Sequence, residues 1–267
     1  MVEACERWVE GDQRWRGRAA CAVLARSEYK LLQVERPQVA EAELAEAVRW
    51  RIRDLLDFPA ASAVVDVFPV GEAGDARPQL YAVAAPGEAV DARVRALRGA
   101  GMRVRAIEIP ELALARLAGA AGPADRAVAL LAAETGTSLL VVARNGALYL
   151  ARTLPVGVEV AAASAPAADG TGLALEVDPR IESMALELQR TFDHFESHFG
   201  LGAVQELLVV TGEGAAEAAA RLDAALGVRA RALEAQALGR WDAERAALDP
   251  AAACALGAVL RLREEGA

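Results

Sequence analysis

His194 and His198 stand one helical turn apart with Glu196 between them, a spacing that puts both imidazoles on one face, as zinc sites can. The pattern is not H-E-x-x-H and brings no third ligand, so it reads as a structural pair and no metal is expected. Gly212 and Gly214 follow a strand-like run, but the third glycine of a dinucleotide fingerprint is missing, and the pair reads as a tight strand-to-helix turn. Thr137, Ser138 and Ser183 carry hydroxyls, yet none sits in a G-x-S-x-G or related setting that would supply a base. No catalytic group follows from these residues. Arg49, Arg51 and Arg53 alternate with Trp50 and Ile52. One reading is a solvated face whose arginine stems cover apolar surface. The other is a recognition surface, because Arg and Trp are over-represented among binding hot spots.

The elements that would position these residues alternate in type. Ala19 to Ala25 and Tyr29 to Val34 predict two strands joined by a polar turn, the second stopped by Pro37. Leu44, Val48, Ile52 and Leu55 form a helical stripe within Glu41 to Leu56, with acidic residues near its start where the helix dipole favours them. Strands follow at Val64 to Val67 and Leu80 to Ala84, separated by a polar loop over Gly71 to Pro78. A helix over Glu88 to Leu97, a strand over Met102 to Ile109 and a helix opened by Pro110 complete a first lobe. Small, flexible residues from Gly119 to Asp125 mark the boundary, giving lobes at 1–122 and 123–267. In the second lobe Asn145-Gly146, between two apolar runs, predicts a tight hairpin. Ser164 to Gly172 reads as a loop, and Glu182 to Phe199 as a long helix closed by Gly200. A strand over Val204 to Val210 and helices over Ala215 to Leu226 and Leu256 to Leu262 follow. The opening segment, Cys5 to Trp15, reads as the last turns of a helix. Alternating strands and helices place the chain in the α/β class.

Bulk properties narrow the function. A chain of 267 residues, 54% hydrophobic, is long enough for two lobes with their own cores. A net charge of -9 argues against a nucleic-acid binder, which needs a basic surface for phosphate. No run approaches the ~20 apolar residues of a membrane span, and the N-terminal residues lack the order of a secretory signal. A cytoplasmic protein is expected. Cys5, Cys21 and Cys254 are too scattered for a zinc knuckle or a disulfide framework. Lys30 is the only lysine among 29 basic residues, a coding bias rather than a function.

Three blocks resemble one family. Arg49-Trp50-Arg51-Ile52-Arg53-Asp54-Leu55-Leu56-Asp57-Phe58-Pro59 resembles the "RW…FP" helix of PilM-like pilus proteins and, with the lead-in Tyr29 to Glu35, is most similar to the MSHA biogenesis protein MshI. Ile107 to Leu114 resembles the family's next block, and Ala185 to Gly200 its "E-Q-R-S-x-D-x-x-E-S-x-F-G" helix. The resemblance implies a two-lobed, actin-like, FtsA-related fold with a small α/β subdomain inserted at about 19–85, here without the N-terminal hairpin. It implies a non-catalytic scaffold of MSHA-type IV pilus biogenesis that docks the cytoplasmic tail of a PilN-like inner-membrane protein near Arg49, Trp50, Arg53 and Phe58. Contact with the inner membrane would run through that partner, and the pilus motor ATPase and a second copy of the chain are further candidate partners.

The resemblance also places the family's nucleotide loops. No "D-I-G-x-x-x-x-K" motif occurs in the first 18 residues. The second phosphate loop falls at Ala132 to Ser138, around Gly136 and Thr137, with Ala132 in place of the metal-binding Asp and Glu134 in place of a glycine. The adenosine loop falls at Thr211 to Ala215, around Gly212 and Gly214, with Glu213 in place of a glycine. Ala cannot ligate Mg²⁺, and a carboxylate repels phosphate, so no cofactor and no ATP hydrolysis are expected. The rival expectations are an active actin-like ATPase using ATP and Mg²⁺, and a GspL-like type II secretion scaffold.

Overall fold

A computed structural model describes residues 15–72, 79–157, 179–238 and 248–264. The expected opening helix up to residue 14, most of the loop before Pro78 and the loop at Ser164 to Gly172 lie outside them. The chain divides into two compact units. One runs to Ala113 and takes in the chain from Ala258, and the other spans Leu114–Gly257. The expected boundary lay further on, after residue 122, and did not return the end of the last helix to the first unit.

In the first unit, β1 (Ala19–Val23) pairs in parallel with β5 (Arg103–Glu108). β2 (Lys30–Glu35) does not pair with β1. It joins β4 (Gln79–Pro86) and β3 (Ala63–Pro69) in an antiparallel sheet of order β2-β4-β3. The small α/β body therefore begins at Lys30, because β1 is committed to β5. Helix α1 (Leu44–Ile52), flanked by single 3-10 turns, lies against this sheet. Its buried residues are Leu44, Val48 and Ile52, spaced four apart. Val48 and Ile52 pack with Ala63, Val65, Ala82 and Ala84. The opposite face of β4 turns Ala85 and Val83 toward Leu24, Tyr29 and Ile109. This period-2 alternation lets one short sheet serve two cores. Helices α2 (Gly87–Gly99) and α3, which starts at Pro110 and ends at Ala121, follow β4 and β5.

The second unit holds a five-stranded sheet of order β10-β9-β6-β7-β8. Its strands are β6 (Ala127–Glu134), β7 (Thr137–Arg144), β8 (Ala147–Leu154), β9 (Glu206–Val210) and β10 (Arg229–Ala232). β6, β7 and β8 form an antiparallel meander, whereas β9 and β10 add in parallel to the other side of β6. The parallel strands need crossover helices, and α4 (Pro179–Phe199) and α5 (Ala215–Ala225) supply them. Asn145 and Gly146 turn the β7–β8 hairpin with φ of 50° and 81°, as an Asn-Gly pair should. Gly119 of α3 crosses that turn so closely that an added Cβ would lie 2.2 Å from the Gly146 nitrogen. α4 ends at Gly200, with φ 64° and its amide on the Glu196 carbonyl at 2.9 Å. The last helix, α6, spans Pro250–Glu264. Among the described residues no helix is long and apolar enough to cross a membrane.

Candidate functional site

Ala132 of β6 stands beside Val210 of β9, and the two strands run in parallel. The turn after β6 and the loop after β9 therefore leave the same end of the sheet. This is where open α/β sheets place ligands, and it brings Gly136 and Thr137 to the same sheet end as Gly212 and Gly214. Both loops are tied down by the unit's own chain.

In the first loop Glu134 pairs with Thr137 across the turn, and Gly136 takes φ 71°. The chain leaving β8 then passes directly over it. Thr137 Oγ1 donates to the Leu154 carbonyl at 3.2 Å, and Ser138 Oγ donates to the Val156 carbonyl at 2.5 Å. A Cβ on Gly157 would stand 1.8 Å from the Glu134 carbonyl oxygen, 2.6 Å from the Gly136 nitrogen and 2.7 Å from the Thr137 nitrogen. Phosphate would be received by such turn amides, and here a glycine of the same chain is pressed against them. Ala132 is buried in the sheet, paired with Leu139 and Val210, and offers only a methyl group. Glu134 is exposed at the mouth of the turn.

The second loop is held from the other side. The Gly212 amide donates to the Leu248 carbonyl at 3.0 Å, and Thr211 Oγ1 to the Glu213 carbonyl at 3.1 Å. Gly212 and Gly214 take φ of 78° and 76°, and Gly214 is the N-cap of α5. Backbone geometry alone therefore calls for glycine at both positions.

The second candidate site lies on the first unit. Trp50 is 64% exposed and sits on the side of α1 opposite Val48 and Ile52. Leu55, five residues on at the end of the 3-10 extension, is 62% exposed. A side chain of this size left in water on a short helix is the kind of anchor that binding surfaces use. Arg53 lies on the same flank and meets Asp54 at 3.3 Å, and Arg51 Nη1 donates to the Glu35 carbonyl at 2.8 Å. Arg49 is half-buried, and its Nε is enclosed without a hydrogen-bond partner. Phe58 has a different place: it packs against the core beneath α1 and supports the helix instead of sharing its exposed face. The structure thus brings Arg49, Trp50 and Arg53 together on α1 and its 3-10 extension and sets Phe58 below them.

Three long-range features carried no local signal. Tyr29 Oη donates to Glu111 Oε2 at 2.5 Å across 82 positions, joining the root of β2 to the first turn of α3. Burial pushes the Glu111 carboxyl above its ordinary pKa, against the Tyr29 hydrogen bond, a backbone amide and the Arg26 charge, which pull the other way. Arg231 of β10 holds Glu206 with Nε at 2.6 Å and Nη2 at 3.1 Å, and Nη2 also reaches the Ala121 carbonyl at 2.9 Å. Glu108, fully enclosed, meets Arg261 at 3.2 Å, which fixes the end of α6 to β5 within the first unit. His194 and His198 stack with ring centroids 5.3 Å apart on the exposed face of α4. Among the described residues no group of three or more His, Cys, Asp or Glu is placed to hold a metal.

No family sequence model and no curated protein sequence matches the chain. Solved structures do. A chain of the PilM–PilN type IV pilus biogenesis complex superposes with a TM-score of 0.69 at 23% identity, over 97% of this chain and 84% of that one. The fold is actin-like. The cytoplasmic domain of EpsL, an inner-membrane component of the Vibrio cholerae type II secretion system, gives a TM-score of 0.48 at 13% identity, over 97% and 80% of the two chains. The ethanolamine utilization protein EutJ from Carboxydothermus hydrogenoformans gives 0.38 at 18% identity, over 61% and 59%.

Proposed function

We propose that the protein is a non-catalytic scaffold of type IV pilus biogenesis, of the MSHA type, that docks the cytoplasmic tail of a PilN-like inner-membrane protein. It works on the cytoplasmic face and reaches the inner membrane through that partner. The observation that carries this reading is the exposed Trp50, flanked by Arg53 and Leu55 on a helix braced from below by Phe58. The likeness over nearly the whole chain to a component of a PilM–PilN complex supplies the class of partner.

The residues at the end of the β6–β9 sheet do not fit Mg²⁺ and ATP. Gly157 lies against the amides that would receive phosphate, and the Thr137 and Ser138 hydroxyls are engaged by main-chain carbonyls. Ala132 supplies no metal ligand, and Glu134 puts an acidic group at the mouth. Docking therefore replaces nucleotide turnover: the tail lays an apolar anchor on Trp50 and Leu55 while the guanidinium of Arg53 fixes its register.

The test is a calorimetric titration of the PilN-like partner's cytoplasmic tail peptide into the full chain and into Trp50→Ala. Truncating an anchor of this kind costs roughly 2 kcal/mol or more, so a loss of about tenfold or greater is expected. Folding stability should stay within about 0.5 kcal/mol of wild type, because the side chain is exposed. Equal affinities for the two proteins would remove Trp50 from the docking surface.

A further inference from the structure

We infer that the groove between α5 and β10 is a second docking surface, and that its occupant is an extended, basic segment of a partner polypeptide with an apolar side chain seated on the groove's alanines. This surface lies on the second unit and does not depend on the Trp50 site. Failure of either reading leaves the other standing.

β10 ends the five-stranded sheet, so one of its edges faces away from β9. Strand parity identifies what that edge presents. The Leu233 amide, just past the end of β10, donates to the Val209 carbonyl at 2.9 Å, toward β9. Alternation then turns the main-chain groups of Ala230 and Ala232 the other way. The Ala230 amide is taken by Asp223 Oδ1 at 2.8 Å, which binds α5 to the strand. The Ala232 amide and the carbonyls of Ala230 and Ala232 line the outer edge. An edge of this kind accepts an extended chain through main-chain hydrogen bonds.

Beside the edge is a groove of about 550 Å³. Five of its eight lining residues are alanines, including Ala216 and Ala220, exposed on α5. Methyl groups leave depth for a larger visiting side chain and let a visiting backbone come close. The rim carries Asp223 and Glu234. Arg231 also lines the groove, but its guanidinium is neutralised by Glu206. The rim is thus acidic, on a chain of net charge -9. A basic partner is complementary to it, whereas an anion or a second copy of the same acidic chain is repelled.

The experiment uses the full chain and two capped synthetic peptides, Lys-Val-Lys-Val-Lys-Val and Glu-Val-Glu-Val-Glu-Val. Fluorescence anisotropy measures affinity, and amide hydrogen exchange locates the contact. The basic peptide should bind saturably and slow exchange at Ala232, and the acidic peptide should not bind. Ala220→Phe fills the groove and Glu234→Lys reverses a rim charge. Each should weaken the basic peptide by about fivefold or more without changing the melting temperature, since both positions are exposed. Several outcomes would overturn the proposal: no saturable binding up to about 1 mM, an affinity unchanged in both variants, or protection confined to amides outside α5 and β10. So would a concentration-dependent dimer that Ala220→Phe abolishes, which would give the groove to a second copy.

Discussion

A methyl group on Gly157 would stand 1.8 Å from the Glu134 carbonyl oxygen, with the Gly136 and Thr137 nitrogens 2.6 and 2.7 Å away. These are main-chain atoms that cannot swing aside. Gly157→Ala must therefore push the segment off the turn and lengthen or break the Ser138–Val156 hydrogen bond. Overpacking of this kind costs about 1–3 kcal/mol, read as a lower denaturation midpoint. An unchanged midpoint would mean that the segment does not press on the turn. In the proposed function, the turn's grip on its own chain is the local reason that Gly136 and Thr137 do not serve a phosphate.

Glu111 makes a second prediction at this scale. Desolvation raises its pKa in the folded protein, so between the ordinary glutamate value near ~4.3 and the raised value the folded state keeps a proton that the unfolded chain has released. Stability then falls as pH rises through that window. Glu111→Gln removes the titration, while its amide oxygen can still accept from Tyr29 Oη. Paired thermal melts should show the variant gaining on wild type as pH rises from the acid range toward neutrality. A difference constant with pH would contradict the burial argument.

At the scale of elements, the β7–β8 hairpin depends on two residues with positive φ and on a reciprocal pair of side-chain bonds. Asn145 Oδ1 accepts from the Asp125 amide at 2.9 Å, and Asn145 Nδ2 donates to Asp125 Oδ1 at 3.0 Å. Asn145→Ala loses both bonds and puts alanine, which tolerates the left-handed region less well than asparagine, at a φ of 50°. The expected cost is about 2 kcal/mol in chemical denaturation, and a cost near zero would show the turn to be held by its strands alone.

This hairpin was legible in the amino-acid sequence because its signal is local: two residues, one turn type. So were the Leu44–Val48–Ile52 stripe, Pro110 at the start of α3 and Gly200 at the end of α4. The partners of β1 and β2 were not, because pairing is decided by contacts between distant segments. β1 finds β5, and β2 finds β4 some fifty positions on. β10 is Arg-Ala-Arg-Ala, with no β-branched or aromatic residue to announce a strand, and it is held in place by Arg231 on Glu206. For the candidate sites, the residue types on α1 left a solvated arginine face and a recognition surface both open, and the exposure of Trp50 came only with the packing. Phe58 could not be separated from it without the packing, which puts one ring in water and the other against a core.

At the scale of the molecule, each unit serves a different part of the account. The first carries a small three-stranded body whose helix presents Trp50. The second carries the β10-β9-β6-β7-β8 sheet, whose first loop is crossed by its own chain and whose β10 has, among the described residues, no strand beyond it. In the proposed function this frame acts by docking and not by nucleotide turnover. Titrating Mg²⁺·ATP into the full chain by calorimetry, with phosphate release followed in the same samples, tests it most directly. The account predicts no saturable heat up to about 1 mM and no release above the buffer rate. Saturable binding in the micromolar range, accompanied by turnover, would contradict it.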